Sequence, residues 1–293
     1  MTINYNEKYI IKKPLSNNNQ TEMWADEYIP FEPKGLHMQM RNDLRYAIRE
    51  MVRETEGVLY ASYVSDSDKF CDAENVLFYN IGTSVFTPLC KNGICFERGF
   101  GKVRADGENI KPHYYHYSQG SNSRLWQEKE VLAVWKNVNM VSTPTSNSKP
   151  YLFWQSLKSG EMTCTPKKVC ENHGLSVSLN VPEKAWCNLS TLMKPLLDGI
   201  ISVFHQHKGR LDDDTLSRLS NVTALDKGKL EHLLCESRTA ALGDRTVISA
   251  YRDGIKWNPE DDKCVMAKIM INRIEQQSEW SFSGKLFTIT EKN

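Results

Sequence analysis

The sequence predicts an α/β (α+β) protein made of two similar strand–helix units, the pattern of a pseudo-dimer of small mixed-sheet domains. Three observations predict it. Helical periodicity is clear at Leu36, Met40, Leu44, Ile48 and Val52, and an apolar run from Leu192 to Phe204 reads as a buried helix. Strand-like runs bounded by Gly, Asn and Ser lie between and after these helices. Finally, Gly57–Phe86 can be laid over Gly174–Phe204. In each, a strand-like stretch leads into a cysteine-initiated polar cluster and then an apolar helix closing on Ser-Val-Phe. Asp72 falls over Asn188, and Glu74 over Ser190.

Taken in order, residues 1–30 read as an N-terminal arm, polar and Asn-rich around Lys12-Lys13-Pro14. The helix from Leu36 is expected to end by Gly57, and Val58–Val64 to form a strand. The apolar stretch Val76–Phe78 runs into Gly82. Strands are expected at Gly93–Phe100 and His113–Ser118, while Leu125–Val138 fits helix or strand. The Ser/Thr/Asn/Pro stretch Val141–Pro150 reads as a linker, dividing a first unit, 31–145, from a second, 146–293.

In the second unit the aromatic run Tyr151–Leu157 reads as a strand, turning at Ser159-Gly160 into a second strand near Met162. Leu175–Val181 alternates like another strand. Pro195 fits the following helix only in its first turn. Short helices are expected at Asp213–Asn221 and Lys227–Thr239. Strands are expected at Thr246–Tyr251, Val265–Ile271 and Trp280–Thr290.

Composition narrows the function. The 293 residues suffice for one large domain or two modest ones, each with its own core. No apolar run reaches the ~18 residues of a membrane span, and the first 20 residues lack the apolar centre of a signal peptide, so a cytoplasmic location without membrane contact is expected. The formal net charge is +1, so any nucleic-acid contact must come from a local basic face. Neither a P-loop nor a dinucleotide-type glycine loop is present. The eight cysteines are scattered, and Cys164, Cys170 and His173 form the one compact zinc-like group.

The acidic residues carry most of the chemical interest. Asp72 and Glu74 stand one residue apart at a helix start, where they can share a cation or cap the helix. Asp261 and Asp262 can supply further oxygen ligands or form a turn after Asn258-Pro259. Asp212-Asp213-Asp214 reads as a helix N-cap. His205 and His207 fall at a helix end, where a cation offsets the dipole. The aromatics of His113–Tyr117 either stack on bases or fill a half-buried strand.

Asp72-Ala73-Glu74-Asn75 resembles the Asp-x-Asp-Asn signature of the RusA-type Holliday-junction resolvases. Lys194-Pro195-Leu196-Leu197-Asp198-Gly199-Ile200 is similar to that family's Lys-x-x-x-Asp-x-Leu stretch, and Asp261-Asp262-Lys263-Cys264-Val265 to its Asp-Asp-x-x-Val segment. The resemblance implies a Mg-dependent endodeoxyribonuclease. Asp72, Glu74, Lys194, Asp198 and Asp262 would be its catalytic residues. Asp72, Glu74, Asp198, Asp261 and Asp262 would hold Mg²⁺ or Mn²⁺, and Lys194 would contact phosphate. These elements lie in different halves, and the second copy of the first motif holds Asn188 and Ser190. Two expectations therefore stand together. One is a metal-dependent nuclease, or nuclease-derived DNA-binding protein, with a composite site and DNA rather than RNA as partner. The other is a non-catalytic subunit of a larger nucleoprotein or defence-type assembly that recognises nucleic acid or a protein partner.

Overall fold

A computed structural model of the chain describes residues 3–12, 19–53, 57–66, 72–105, 110–120, 123–166 and 172–292. It is a mixed α+β fold with one 11-stranded sheet in the order β1-β2-β3-β8-β4-β5-β16-β11-β17-β9-β10. The first strands are β1 (Ile3–Asn6), β2 (Tyr9–Lys12) and β3 (Gln20–Ala25). Helix α1 (Leu36–Arg49) follows, then β4 (Val58–Ser65), a helical turn at Asn75–Tyr79 and β5 (Gly93–Phe100). A small ribbon, β6 (Val103–Arg104) and β7 (Ile110–Lys111), precedes β8 (His113–Gln119) and β9 (Trp126–Asn139).

The second half contains α2 (Pro150–Ser159), β10 (Met162–Cys164), β11 (His173–Pro182) and α3 (Leu189–Val203). Next come β12 (Gln206–His207), α4 (Asp213–Thr223), α5 (Lys227–Cys235) and β13 (Asp244–Arg245). The chain closes with β14 (Ile248–Tyr251), β15 (Gly254–Trp257), β16 (Cys264–Ile274) and β17 (Ser281–Glu291).

One order of elements occurs twice. With the elements inserted between them set aside (β6 and β7 in the first set; β10, β12 to β15, α4 and α5 in the second), strand, helix, strand, helical segment, strand, strand describes β3-α1-β4-(75–79)-β5-β8, and again β9-α2-β11-α3-β16-β17. In each set a parallel pair (β4 with β5, β11 with β16) is flanked by an antiparallel strand (β8, β17). The two sets meet at the antiparallel pair β5/β16. The sheet thus runs through residues on both sides of the 145/146 boundary, and β9 of the first half pairs with β17 of the second.

The helices and one face of the sheet share a single core. The α1 stripe Met40, Leu44 and Ile48 packs in one cluster with Leu59, Ala61 and Tyr63 of β4 and with Tyr115 and Tyr117 of β8. In α3, Leu192, Met193, Leu196, Leu197, Ile200 and Ile201 are all buried, so this helix is held on several sides. Its close approach to α2 depends on Gly199, where a Cβ would stand 2.4 Å from the Pro150 carbonyl oxygen.

Several expectations are corrected. Much of the N-terminal arm is sheet, because β1–β3 extend the β8 edge. Tyr151–Leu157 is helical rather than extended. Pro150 occupies the first turn of α2, and Leu152, Phe153, Trp154 and Leu157 are buried on it. An apolar run this short has no decisive period, and packing against α3 selects helix. The strand at Met162 therefore pairs with β9, not with a hairpin partner before Gly160. Pro195 sits beyond the first turn, because α3 begins at Leu189. The first helix ends at Arg49, well before Gly57, whose φ of 54° leads into β4. Leu125–Val138 resolves to strand. Among the described residues, no helix is long and apolar enough to cross a membrane.

Candidate metal centre

Three elements converge at one end of the parallel pairs. The helical turn after β4 carries Asp72 and Glu74, α3 carries Lys194 and Asp198, and the turn Asp261–Lys263 carries Asp261 and Asp262 just before β16. Lys194 and Asp198 are one helical turn apart and share a face. Lys194 Nζ lies 2.9 Å from Glu74 Oε1, 3.3 Å from Asp198 Oδ1 and 3.1 Å from Asp261 Oδ2. All six residues singled out from the sequence are thus brought together from both halves of the chain.

Two groups of three carboxylates have ligand oxygens within 4.8 Å of one another: Asp72, Asp261 and Asp262, and Glu74, Asp198 and Asp261. Asp261 belongs to both. Oxygens bound to one Mg²⁺ at ~2.1 Å can be at most ~4.2 Å apart, so small side-chain movements suffice to enclose a hard divalent cation. The donor set, all carboxylate oxygen, fits Mg²⁺ or Mn²⁺.

Burial sharpens the electrostatics. Glu74 is 1% exposed, and burial pushes its carboxyl well above the ordinary range, Lys194 only partly opposing this. Burial and the neighbouring Asp261 raise Asp72. Asp198 is pushed up to about 7, mainly by burial, against the pull of Lys194. Asp262 is raised by burial and by Asp261. Burial alone would lower Lys194, but Glu74, Asp198 and Asp261 outweigh it and hold the ammonium charged above its usual range. Burial and the repulsion of neighbouring acids raise Asp72, Glu74, Asp198 and Asp262 together, a pattern that a further cation among them would relieve.

The helix-cap reading of this pair is not what the side chains do. Glu74 makes no cap hydrogen bond, and Asp72 Oδ2 accepts from the Asn75 side-chain amide. Asp212, by contrast, caps α4, accepting from the Thr215 N–H at 2.7 Å and its hydroxyl at 2.8 Å. His205 is not a helix-end cation: burial, with Arg245 and His173 nearby, lowers it to about 3, and burial also lowers His207. In His113–Tyr117, only Tyr114 is not fully buried, and Tyr63 Oη bonds His113 Nδ1 at 2.7 Å, so the run fills the sheet instead of facing bases. Of the zinc-like group, Cys170 lies outside the described residues, and Cys164 Sγ donates to the Thr239 carbonyl.

Sequence reasoning missed two neighbours of the centre. Tyr79, pushed up to about 12 chiefly by burial, lies against Lys194, Glu74 and Asp198. Cys264 is fully buried beside Glu74 and Asp261, its thiol held well above the usual value chiefly by burial. Tyr79 lies five residues beyond Glu74, which would bring it back towards the same side of a helix widened by a π-turn. Nothing in the sequence signals Cys264. Comparison with protein-family models, curated proteins and solved structures gives no match.

Proposed function

We propose that this protein is a divalent-cation-dependent phosphodiesterase acting on DNA, with Asp72, Glu74, Asp198, Asp261 and Asp262 holding the cation and Lys194 contacting phosphate. One observation carries the reading: carboxylates from three separate elements share Asp261 in two overlapping groups around a single lysine. An unpaired carboxylate is expensive to bury, and this many in one place are best explained by a cation. These carboxylates would hold Mg²⁺, which would polarise the phosphate and acidify a water. Lys194 offers a localised positive charge to a non-bridging phosphate oxygen. Hydrolysis adds one water oxygen to phosphorus and breaks one ester bond. The departing oxygen leaves as a hydroxyl. The likeness to RusA-type resolvases favours DNA, and branched DNA in particular.

A second reading has its own observation. Lys194 already meets three carboxylates, so the cluster has an internal cation and can be a purely structural network in a non-catalytic recognition subunit.

Calorimetric titration of Mn²⁺ and Mg²⁺ into wild type and the Asp72→Ala/Glu74→Ala variant separates the two. Binding that vanishes in the variant, with Mg²⁺-dependent cleavage of branched or supercoiled DNA, supports the nuclease. An absence of binding in both favours the recognition subunit.

A further inference from the structure

The topology relates the acidic centre to a second position. The strand order reads symmetrically about the β5/β16 pair, with β4 answering to β11 and β8 to β17, and the helical turn after β4 follows its strand in the chain as α3 follows β11. Aligning Gly57 with Gly174 makes Val58 equivalent to Leu175, and their parallel partners Gly93 and Ala267 equivalent to each other. Counting back along the chain from those partners by equal steps sets Thr87 and Pro88 against Asp261 and Asp262. Asn188 and Ser190 already stand against Asp72 and Glu74. The side chains obey the same relation. Thr87 Oγ1 lies 3.1 Å from Ser190 Oγ, joining a pre-strand turn to a helix start as Lys194 joins Asp261 to Glu74.

At this second position lies a cavity of about 420 Å³, bordered by Thr87, Lys91, Asn92, Asn188 and Arg273 among others. No carboxylate borders it among the described residues. Arg273 is fixed in place, its Nη1 donating to the Pro182, Glu183 and Ala185 carbonyls. The four acids set against this position, Asp72, Glu74, Asp261 and Asp262, have neutral counterparts here, and the cavity is bordered by two cations, Lys91 and Arg273. Such a lining offers Mg²⁺ no carboxylate and sets two cations beside it, but it suits a phosphate, which takes hydrogen bonds from amide, hydroxyl and cationic groups.

We infer that this cavity seats a phosphodiester of the DNA without cutting it, so that the protein engages DNA at two related points and incises it at one. The inference rests on the DNA reading proposed above and adds to it a second, metal-free contact.

Fluorescence anisotropy of a labelled four-way junction and a labelled linear duplex, titrated with full-length protein over a range of salt, tests it. The variants are Lys91→Glu, an exposed change, and Asn188→Asp, which keeps the side-chain cap on Ser190 while adding negative charge. Each is expected to weaken binding by ~10-fold and to reduce the slope of log K against log salt by about 1, with Mn²⁺ binding at the acidic centre unchanged. Binding within about twofold of wild type in both variants overturns the inference, as does a wild type that binds neither DNA. DNA binding that depends on Lys91 in a protein that takes up no Mn²⁺ supports the seat and overturns the metal reading alone.

Discussion

Lys194 Nζ and Glu74 Oε1, 120 residues apart in the chain, meet at 2.9 Å with the glutamate almost wholly buried. That contact ties the first half of the molecule to the second at the point where the acids collect. It also makes Lys194 the occupant of the space a cation would share.

Replacing Lys194 tests that occupancy. In EDTA, Lys194→Met leaves buried carboxylates without their counter-charge, at a cost of about 3 kcal/mol, seen as a lower Tm. Mn²⁺ should restore the Tm of this variant by more than it raises that of wild type, and calorimetry should show tighter Mn²⁺ binding. Equal metal affinity in the two proteins would mean that Lys194 and the cation do not compete.

Asp72 is more dispensable to the fold, since it is half-buried and pushed upward by burial and by Asp261. The Asp72→Ala variant should keep its Tm in EDTA to within ~1 kcal/mol of stability, or gain slightly as repulsion is relieved. Metal affinity should fall by more than ~100-fold, beyond what loss of an outer-sphere partner causes. Thermal melts and Mn²⁺ titration on the same samples check both.

Asp198 gives a pH dependence of definite sign. Its carboxyl ionises near 7 in the folded protein and near 3.8 when unfolded, so the unfolded state loses its proton first as pH rises. Its ionisation therefore lowers stability as pH climbs from about 4 to 7 in the absence of metal, and the penalty stays in full above that. His205, lowered to about 3, contributes the opposite slope below pH 6.5, because the unfolded state protonates first as pH falls. Comparing Asp198→Asn with wild type removes that overlap. The Tm difference in favour of the variant should grow from pH 4 to 7 in EDTA and shrink with Mn²⁺. A constant difference across that range would contradict the raised carboxyl.

Gly199 links packing to the centre. A methyl there would meet the Pro150 carbonyl oxygen at 2.4 Å and Phe153 Cβ at 2.9 Å, so α2 and α3 must separate. Gly199→Ala should cost about 1–3 kcal/mol. Because Asp198 rides on α3, Mn²⁺ affinity should fall as well, although no proposed ligand is touched. Normal affinity with reduced stability would show that the helix yields without moving its acidic face.

What could be read from the chain was local. The period of Met40, Leu44 and Ile48 identified α1, the apolar run ending at Phe204 identified α3, and the alternation of Leu175, Val177, Leu179 and Val181 identified β11. Asp72 and Glu74 stood out by their close spacing, Lys194 and Asp198 only through the resemblance to RusA-type resolvases, and Lys194 and Asp198 share a face by helical geometry alone. The tertiary structure decided everything that depends on partners distant in sequence. The run Tyr151–Leu157 is apolar enough for strand or helix, and its contact with Gly199 settled it. Strands β1–β3 carry too little pattern to announce themselves, and the free edge of β8 recruited them. The meeting of Asp72 with Asp261 arises because β5 and β16 pair antiparallel at the middle of one sheet, and strand pairing is a property of edges in space, not of residues along the chain.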